Sequence, residues 1–366
     1  MDFAAASVRA TSSDGLLLLD LAETCHCPPA RPGVRESLDS AMLHQMAAAG
    51  ATAELDVTRF VCNPLSGQLF RLPVPDMDVA HRSTAFGLLT QSGSSHGPPD
   101  RFVVAQLCLR ERDSGLVVRR FLSEAGEWDE RLPVPCFFPS RMPRWLPFQM
   151  HTSHDVLAFG DRLWWFDVTW GAFSVDPFSD RPEIRFIELP QGSVLSDIEI
   201  SEKMLLGKRR LMGVSEGKLR YIELSTEKEP FMIRSFSLDE EGCCWKLTRA
   251  SRITLVLPNK AKPHADHLPW LVAIDPFNAN ILYFDFGHTV FSMDNATRKV
   301  VGSRSCPDSI TGLSLYRNAF FLPCMLPTWL ESNHIPGAVE DQLHKEDFGR
   351  HVGSCRQGTE EVKHAS

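Results

Sequence analysis

The stretch Leu163-Trp164-Trp165-Phe166-Asp167-Val168 runs up to Thr169-Trp170-Gly171, and Ala172-Phe173-Ser174-Val175 then leads into Asp176-Pro177-Phe178. Aromatic and β-branched side chains fill both parities on either side of a Trp-Gly break. That pattern predicts two antiparallel strands with both faces buried, the second ending in an Asp-Pro turn. A sheet buried on both faces needs further sheets against it, so the chain is expected to be all-β and layered.

The other strand signals agree. Phe102-Val103-Val104-Ala105-Gln106-Leu107, Leu116-Val117-Val118-Arg119-Arg120-Phe121, Ile184-Arg185-Phe186-Ile187-Glu188-Leu189, Lys218-Leu219-Arg220-Tyr221-Ile222-Glu223 and Leu268-Pro269-Trp270-Leu271-Val272-Ala273-Ile274 are short runs bounded by Gly, Pro, Asp or Ser. Only residues 37–49, with Leu38, Met42, Leu43 and Met46 three and four apart, read as a helix. They fall in a Pro/Ala-rich stretch, and residues 27–53 are expected to be an insertion between strands.

Turn clusters followed by an apolar strand recur at Asp14-Gly15, Asn63-Pro64, Asp113-Ser114-Gly115, Asp176-Pro177, Ser225-Thr226 and Asp275-Pro276. With residues 14, 63, 113, 176, 226 and 275 as markers, the steps are 49, 50, 63, 50 and 49. That is the scale of one four-stranded propeller blade, roughly 40 to 50 residues. We expect a β-propeller-like fold of about six blades over residues 1–336, since radial repetition protects sheet edges that an open sandwich would expose. Paired sandwiches also have short, regularly spaced strands and are the alternative. Neither a Gly-Gly kelch signature nor a WD array is present; Trp128-Asp129 stands alone. From residue 337 to 366 His, Gly, Glu, Lys and Ser replace apolar residues, which predicts a disordered tail.

Composition excludes some functions. The chain has 366 residues, 43% hydrophobic and 23% charged, with 23 Phe and 8 Trp against 3 Tyr, a bias toward dry cores. At a net charge of −8 the longest basic run is Lys208-Arg209-Arg210, so nucleic acid is not an expected partner. Met1-Asp2-Phe3 opens no cationic leader, and Leu16-Leu17-Leu18-Leu19 is too short to span a bilayer. The expected location is cytoplasmic or nuclear, the expected state monomeric and away from membranes, with the ten cysteines reduced.

No motif rises to a catalytic or ligand constellation. Gly213-Val214-Ser215-Glu216-Gly217 matches a nucleophile elbow, which needs a helix to follow, yet Lys218–Leu224 reads as strand. His151 and His154 beside Asp155, and His264 and His267 around Asp266, have metal-like spacing but read as loops. Cys25-His26-Cys27 and Cys243-Cys244 lack the two-residue gap of a zinc or redox pair. Asp239-Glu240-Glu241 and Glu227-Lys228-Glu229 read as solvated turns. No catalytic, cofactor-binding or metal-ligating residue is therefore assigned, and no cofactor is expected.

Several of these segments resemble a cereal-expanded plant family, the domain of unknown function 1618 family. They are residues 12–19, Phe60-Val61-Cys62-Asn63-Pro64-Leu65-Ser66-Gly67, residues 97–105, Leu163-Trp164-Trp165-Phe166-Asp167 with Asp176-Pro177-Phe178, and Lys218-Leu219-Arg220-Tyr221. The resemblance spans roughly residues 12 to 325. It implies a plant origin and a fold like the propellers that accompany F-box domains, and it implies no activity. Residues 1–57 hold no F-box-like helical pattern, which argues against an adaptor role. The leading expectation is a non-catalytic scaffold for a protein partner; the alternative is an enzyme whose residues converge at the central mouth.

Overall fold

The computed structural model describes residues 3–23, 57–75, 81–83, 85–93, 97–110, 116–132, 156–195, 200–225, 230–253, 269–286, 289–305, 322–332, 335–336 and 343–344. These residues form five antiparallel sheets and almost no helix. Blade I holds β1 (Phe3–Thr11), β2 (Leu17–Glu23), β3 (Val57–Cys62) and β4 (Leu69–Arg71). Blade II holds β5 (His81–Ser83), β6 (Gly87–Gln91), β7 (Arg101–Arg110), β8 (Leu116–Leu122) and β9 (Glu127–Arg131). Blade III follows with β10 (Val156–Phe159), β11 (Arg162–Asp167), β12 (Gly171–Val175) and β13 (Arg185–Glu188). Blade IV is β14 (Arg210–Ser215), β15 (Lys218–Leu224), β16 (Phe231–Leu238) and β17 (Trp245–Ile253). Blade V is β18 (Trp270–Ile274), β19 (Ile281–Phe286), β20 (Thr289–Asp294) and β21 (Lys299–Ser305).

Each sheet meanders outward, and the first strands pack side by side, β1 on β6, β6 on β10, β10 on β14 and β14 on β18. This is a propeller. In blade II the inner row is split, because β5 and β6 pair with opposite halves of β7. A Cβ on Gly87 in β6 would come within 2.5 Å of Val156, so the bare backbone there lets two inner strands meet.

The described residues form five blades, where the turn markers predicted about six. Residues 14 and 63 fall in the β1–β2 and β3–β4 turns of one blade, separated by the long β2–β3 connection. Residues 176 and 275 fall in blades III and V, while residues 113 and 226 lie outside the described residues, in the chain between β7 and β8 and between β15 and β16, so it was the β2–β3 connection that imitated a blade's worth of chain. That connection, with the expected 27–53 insertion and its helix at 37–49, lies outside the described residues. So does the 337–366 tail, apart from β22 (Leu343–His344), which pairs with β4. One short helix escaped sequence reading: α1 (Ile200–Gly207) precedes blade IV.

The blade cores explain the doubly apolar strands. Trp165, fully buried, packs with Phe173 and Val175 against Leu89, Val103 and Val118 of blade II. Its neighbour Trp164 points the other way, joining Phe166 against Met212, Leu219 and Tyr221 of blade IV. Residues 322–332 return to blade I, where Asn63 Nδ2 donates to the Leu330 carbonyl at 2.8 Å and Trp329 and Leu330, with Ile335, join the blade I–II core.

Candidate functional site

Cations close the seams between blades. Arg120 on β8, 1% exposed, donates from Nη1 to the carbonyls of Pro177 and Ser179, both at 2.7 Å, and from Nε to Asp129 Oδ1 at 2.8 Å. Its acceptors in blade III are carried by the Asp176-Pro177 turn, which is held by Phe178 N donating to Asp176 Oδ1 at 2.9 Å. Arg210 on β14 reaches the Val168 and Ser193 carbonyls of blade III at 2.5 and 2.8 Å. Lys208 lies 3.7 Å from the centre of the Trp270 ring, and burial lowers its pKa, with nearby Arg209 adding to the effect. Arg120 and Arg210 are buried and Lys208 half-buried, and all three have partners within the fold, which suits fixed blades better than ligand capture.

The seam between blades IV and V differs. In an up-and-down blade the first and third hairpin turns share one face of the propeller, so the β14–β15, β18–β19 and β20–β21 turns lie together. Glu216 and Gly217 form the first as a two-residue hairpin with φ of 52° and 68°, the left-handed conformation of a type I′ turn. Glu216 N donates to the Pro276 carbonyl at 2.8 Å, Ser215 Oγ to the Asp275 carbonyl at 2.6 Å, and Asn295 N to the Asn280 carbonyl at 2.8 Å. The turns frame a cavity of about 150 Å³ lined by Glu216, Arg220, Ser235, Thr248, Arg249, Ala279, Asn280 and Asn295.

Hydrogen bonding in this cavity is lopsided. Glu216 is committed, accepting from Arg220 Nη2 at 2.6 Å and from Ala279 N at 3.2 Å. Asn295, 1% exposed, accepts from Ser251 Oγ through Oδ1, which leaves its Nδ2 donors without an acceptor. Ser235, 5% exposed, has no partner at Oγ. A bulge shapes the outer wall: Ser235 pairs with Arg249 and Phe236 with Leu247, so Thr248 is the extra residue, and its Oγ1 donates to the Ser235 carbonyl at 2.9 Å. Phe277, 72% exposed, stands in the adjoining β18–β19 turn.

The motifs weighed from sequence lie elsewhere or do other things. Gly213 and Ser215 are on a strand, with a second strand following the Glu216-Gly217 turn, so no helix N-terminus faces the serine. His151, His154, Asp155, His264, Asp266, His267 and Cys25-His26-Cys27 lie outside the described residues, as do residues 226–229. Cys243 and Cys244 are exposed in the β16–β17 turn. There Asp239 accepts from both backbone N–H groups and, at 2.9 Å, from the Cys244 thiol. These bonds, the thiol's foremost, lower the Asp239 pKa to about 2, while the same carboxylate raises that of Cys244. Cys62, Cys108, Cys243, Cys244 and Cys324 are unbridged, and no group of three or more His, Cys, Asp or Glu converges among the described residues.

Residues 43–295, well over half the chain, match the family described as F-box protein At3g26010-like, β-propeller. The chain belongs to this family. It is a plant-type propeller family, and the match is to it rather than specifically to the domain of unknown function 1618 family that the motifs resemble. No curated protein matches the chain in sequence. Among solved structures, an α-L-arabinanase of Penicillium chrysogenum complexed with arabinobiose shares 12% identity, with 80% of this chain and 79% of that one covered at a TM-score of 0.34. The family 117 glycoside hydrolase Zg3597 of Zobellia galactanivorans shares 10% identity over 80% and 81%, at 0.35. For apo AztD of Citrobacter koseri the values are 12%, 68%, 66% and 0.30, so this chain spans just under two thirds of that protein. No helix among the described residues is long and apolar enough to cross a membrane.

Proposed function

We propose that the chain is a non-catalytic scaffold that binds a protein partner. The observation that carries this reading is the make-up of the inner strands. β1, β6, β10, β14 and β18 contain no His, Asp or Glu, and β5, the other half of blade II's inner row, adds only His81, so the described inner strands put no base beside an acid, the pairing that general acid–base chemistry draws on. Interaction also suits a family of F-box-type propellers and the phenyl ring of Phe277 standing in solvent, the kind of side chain that anchors interfaces. On this reading the protein is a monomer until it meets its partner, cytoplasmic or nuclear, with residues 1–336 as one propeller domain carrying the 27–53 insertion and 337–366 as a tail. The resemblance to the domain of unknown function 1618 family is then kinship among plant propellers. Its motifs Leu163-Trp164-Trp165-Phe166 and Asn63-Pro64 supply blade core and a turn.

The test is affinity purification of the tagged full chain from its own tissue, beside a Phe277→Ser variant. One protein recovered near equimolar with the wild type and depleted at least fivefold with the variant is the expected result. Recovery of a bound small molecule with no protein partner would overturn the reading in favour of an enzyme.

A further inference from the structure

We infer that the adjacent thiols Cys243 and Cys244 form a modification site, at which hydrogen peroxide or an organic hydroperoxide closes a reversible disulfide between them. The site lies outside the scaffold reading and does not depend on it. Among the five described cysteines, Cys62 and Cys108 are buried and Cys324 is half-buried, and burial pushes all three thiols up, the first two to about 11 and about 12. Cys243 and Cys244 are both exposed, in the turn between β16 and β17. A solvent-accessible cysteine beside a second one that can resolve it is the arrangement of redox-responsive sites.

The turn makes the two thiols unlike. Cys244 donates from Sγ to Asp239 Oδ2 at 2.9 Å, which holds its proton and raises its pKa, so it is the poorer attacking group. Cys243 Sγ donates instead to the uncharged Glu241 carbonyl at 3.4 Å, and it interacts with the Arg185 guanidinium of β13, a cation shared with Glu183. Cys243 therefore reacts first. Its sulfur takes one peroxide oxygen as the O–O bond breaks, leaving a sulfenic acid and releasing water, or an alcohol from an organic hydroperoxide. The Cys244 sulfur then attacks that of Cys243, the S–O bond breaks, and the hydroxyl leaves with the Cys244 proton as water. Each sulfur is oxidised by one electron, and the peroxide is reduced by two.

The bridge is made to be undone. Neighbouring Cα atoms lie about 3.8 Å apart across a trans peptide, against about 4.4–6.8 Å in a relaxed disulfide, so this one is strained and readily reduced. Closing it removes the thiol bond to Asp239 and pulls on the bonds from Cys243 N and Cys244 N to Asp239 Oδ1, at 2.7 and 3.1 Å. Trp245 follows directly and donates from Nε1 to the Glu188 carbonyl of blade III at 3.0 Å, so the change is felt at the blade III–IV seam.

The test treats the freshly reduced full chain with hydrogen peroxide and digests it with trypsin under acidic, thiol-blocking conditions. Cleavage after Arg234 and Lys246 isolates both thiols in residues 235–246, which hold no other cysteine. Expected is that peptide lighter by two hydrogens and restored by dithiothreitol. In the oxidised protein the Asp239 carboxyl should titrate above its value of about 2 in the reduced protein, moving toward the ordinary carboxylate range of about 3.9. In Cys244→Ser, an exposed change, Cys243 should accumulate as a sulfenic acid trapped by dimedone. In Cys243→Ser, trapping of Cys244 should be slower by roughly fivefold or more, as its bond to Asp239 requires. A peptide that keeps its mass, gains oxygen without losing the two hydrogens, or is bridged to a different cysteine overturns the inference. Equal trapping rates in the two single variants would overturn the order of attack, and with it the role given to Asp239.

Discussion

Arg120→Met should be among the most damaging single changes outside the apolar core. The side chain is 1% exposed and spans the blade II–III seam with five short contacts: two to Asp129 at 2.8 and 3.3 Å, one each to the Pro177 and Ser179 carbonyls at 2.7 Å, and one to Asp180 at 3.3 Å. Methionine keeps the unbranched stem and so isolates the guanidinium. Breaking a buried ion pair costs about 3–5 kcal/mol, chiefly by stranding the partner. Asp129 is 32% exposed and keeps Arg131 Nη2 at 2.8 Å, so it is not left alone, which favours the lower end of that range. The stranded carbonyls add a part, since contacts sharing one side chain do not sum independently. A loss of about 3 kcal/mol follows, read as a lower urea midpoint with unchanged slope. Arg120→Lys should recover only a minor share, because an ammonium cannot grip Asp129 with two parallel donors while meeting both carbonyls. As a control, Arg185→Gln removes the pair to Glu183, whose side chains are 56% and 54% exposed, and should change stability by less than about 0.5 kcal/mol. An Arg120→Met protein within about 1 kcal/mol of wild type, or a fully stable Arg120→Lys, would refute the claim that the guanidinium fork clamps the seam.

Three further outcomes are expected. Trp165→Ala empties a fully buried site between blades II and III and removes the Nε1 hydrogen bond to the Ala85 carbonyl, so it should cost about 3–5 kcal/mol in denaturant titration. Gly171→Ala would drive its Cβ into the Ile187 carbonyl oxygen across the β12–β13 pair, and a melting experiment should find it destabilised by about 1–3 kcal/mol or more although only a methyl is added. The Asp239 carboxyl, held near 2 by the Cys244 thiol and two backbone N–H groups, should favour the folded state above its unfolded value of about 3.9 and lose that contribution as pH falls through 2; Cys244→Ala should move its NMR titration midpoint back toward the ordinary range.

How far the sequence could be read depends on whether a feature is local. The strands around Trp164-Trp165 were legible because burial on both faces is written into consecutive residues: each parity faces a different neighbouring blade, and apolar side chains at both parities do not suit a sheet with one wet face. Blade size was legible from turn spacing, while blade number was not, because an Asp-Gly turn and an Asn-Pro turn 49 residues apart look alike whether one blade or two lies between them. Only pairing of β2 with β3 across the long connection shows that they share a sheet. Helix α1 carries Ser201-Glu202-Lys203 and Met204-Leu205-Leu206, too short an apolar run to give a helical period over three turns.

The cavity was illegible for a different reason. Its walls come from β15, β16, β17 and three separate turns, so no two of Arg220, Ser235, Arg249 and Asn295 are closer than fourteen positions in the chain. Asn295 carries no ligand-binding motif in the sequence, and its surroundings arise only where Ser251 bonds its carbonyl oxygen and leaves its buried Nδ2 without an acceptor. The bulge at Thr248 is invisible to pattern reading, because Trp245-Lys246-Leu247-Thr248-Arg249 has no glycine or proline to mark an irregular strand. A repeated fold makes this general: residues at equivalent places in successive blades converge on one seam while lying a blade apart in sequence. In such a fold the sequence carries architecture within each repeat, and binding chemistry between repeats, so the seam whose hydrogen bonds fail to close on themselves is where a ligand is to be sought.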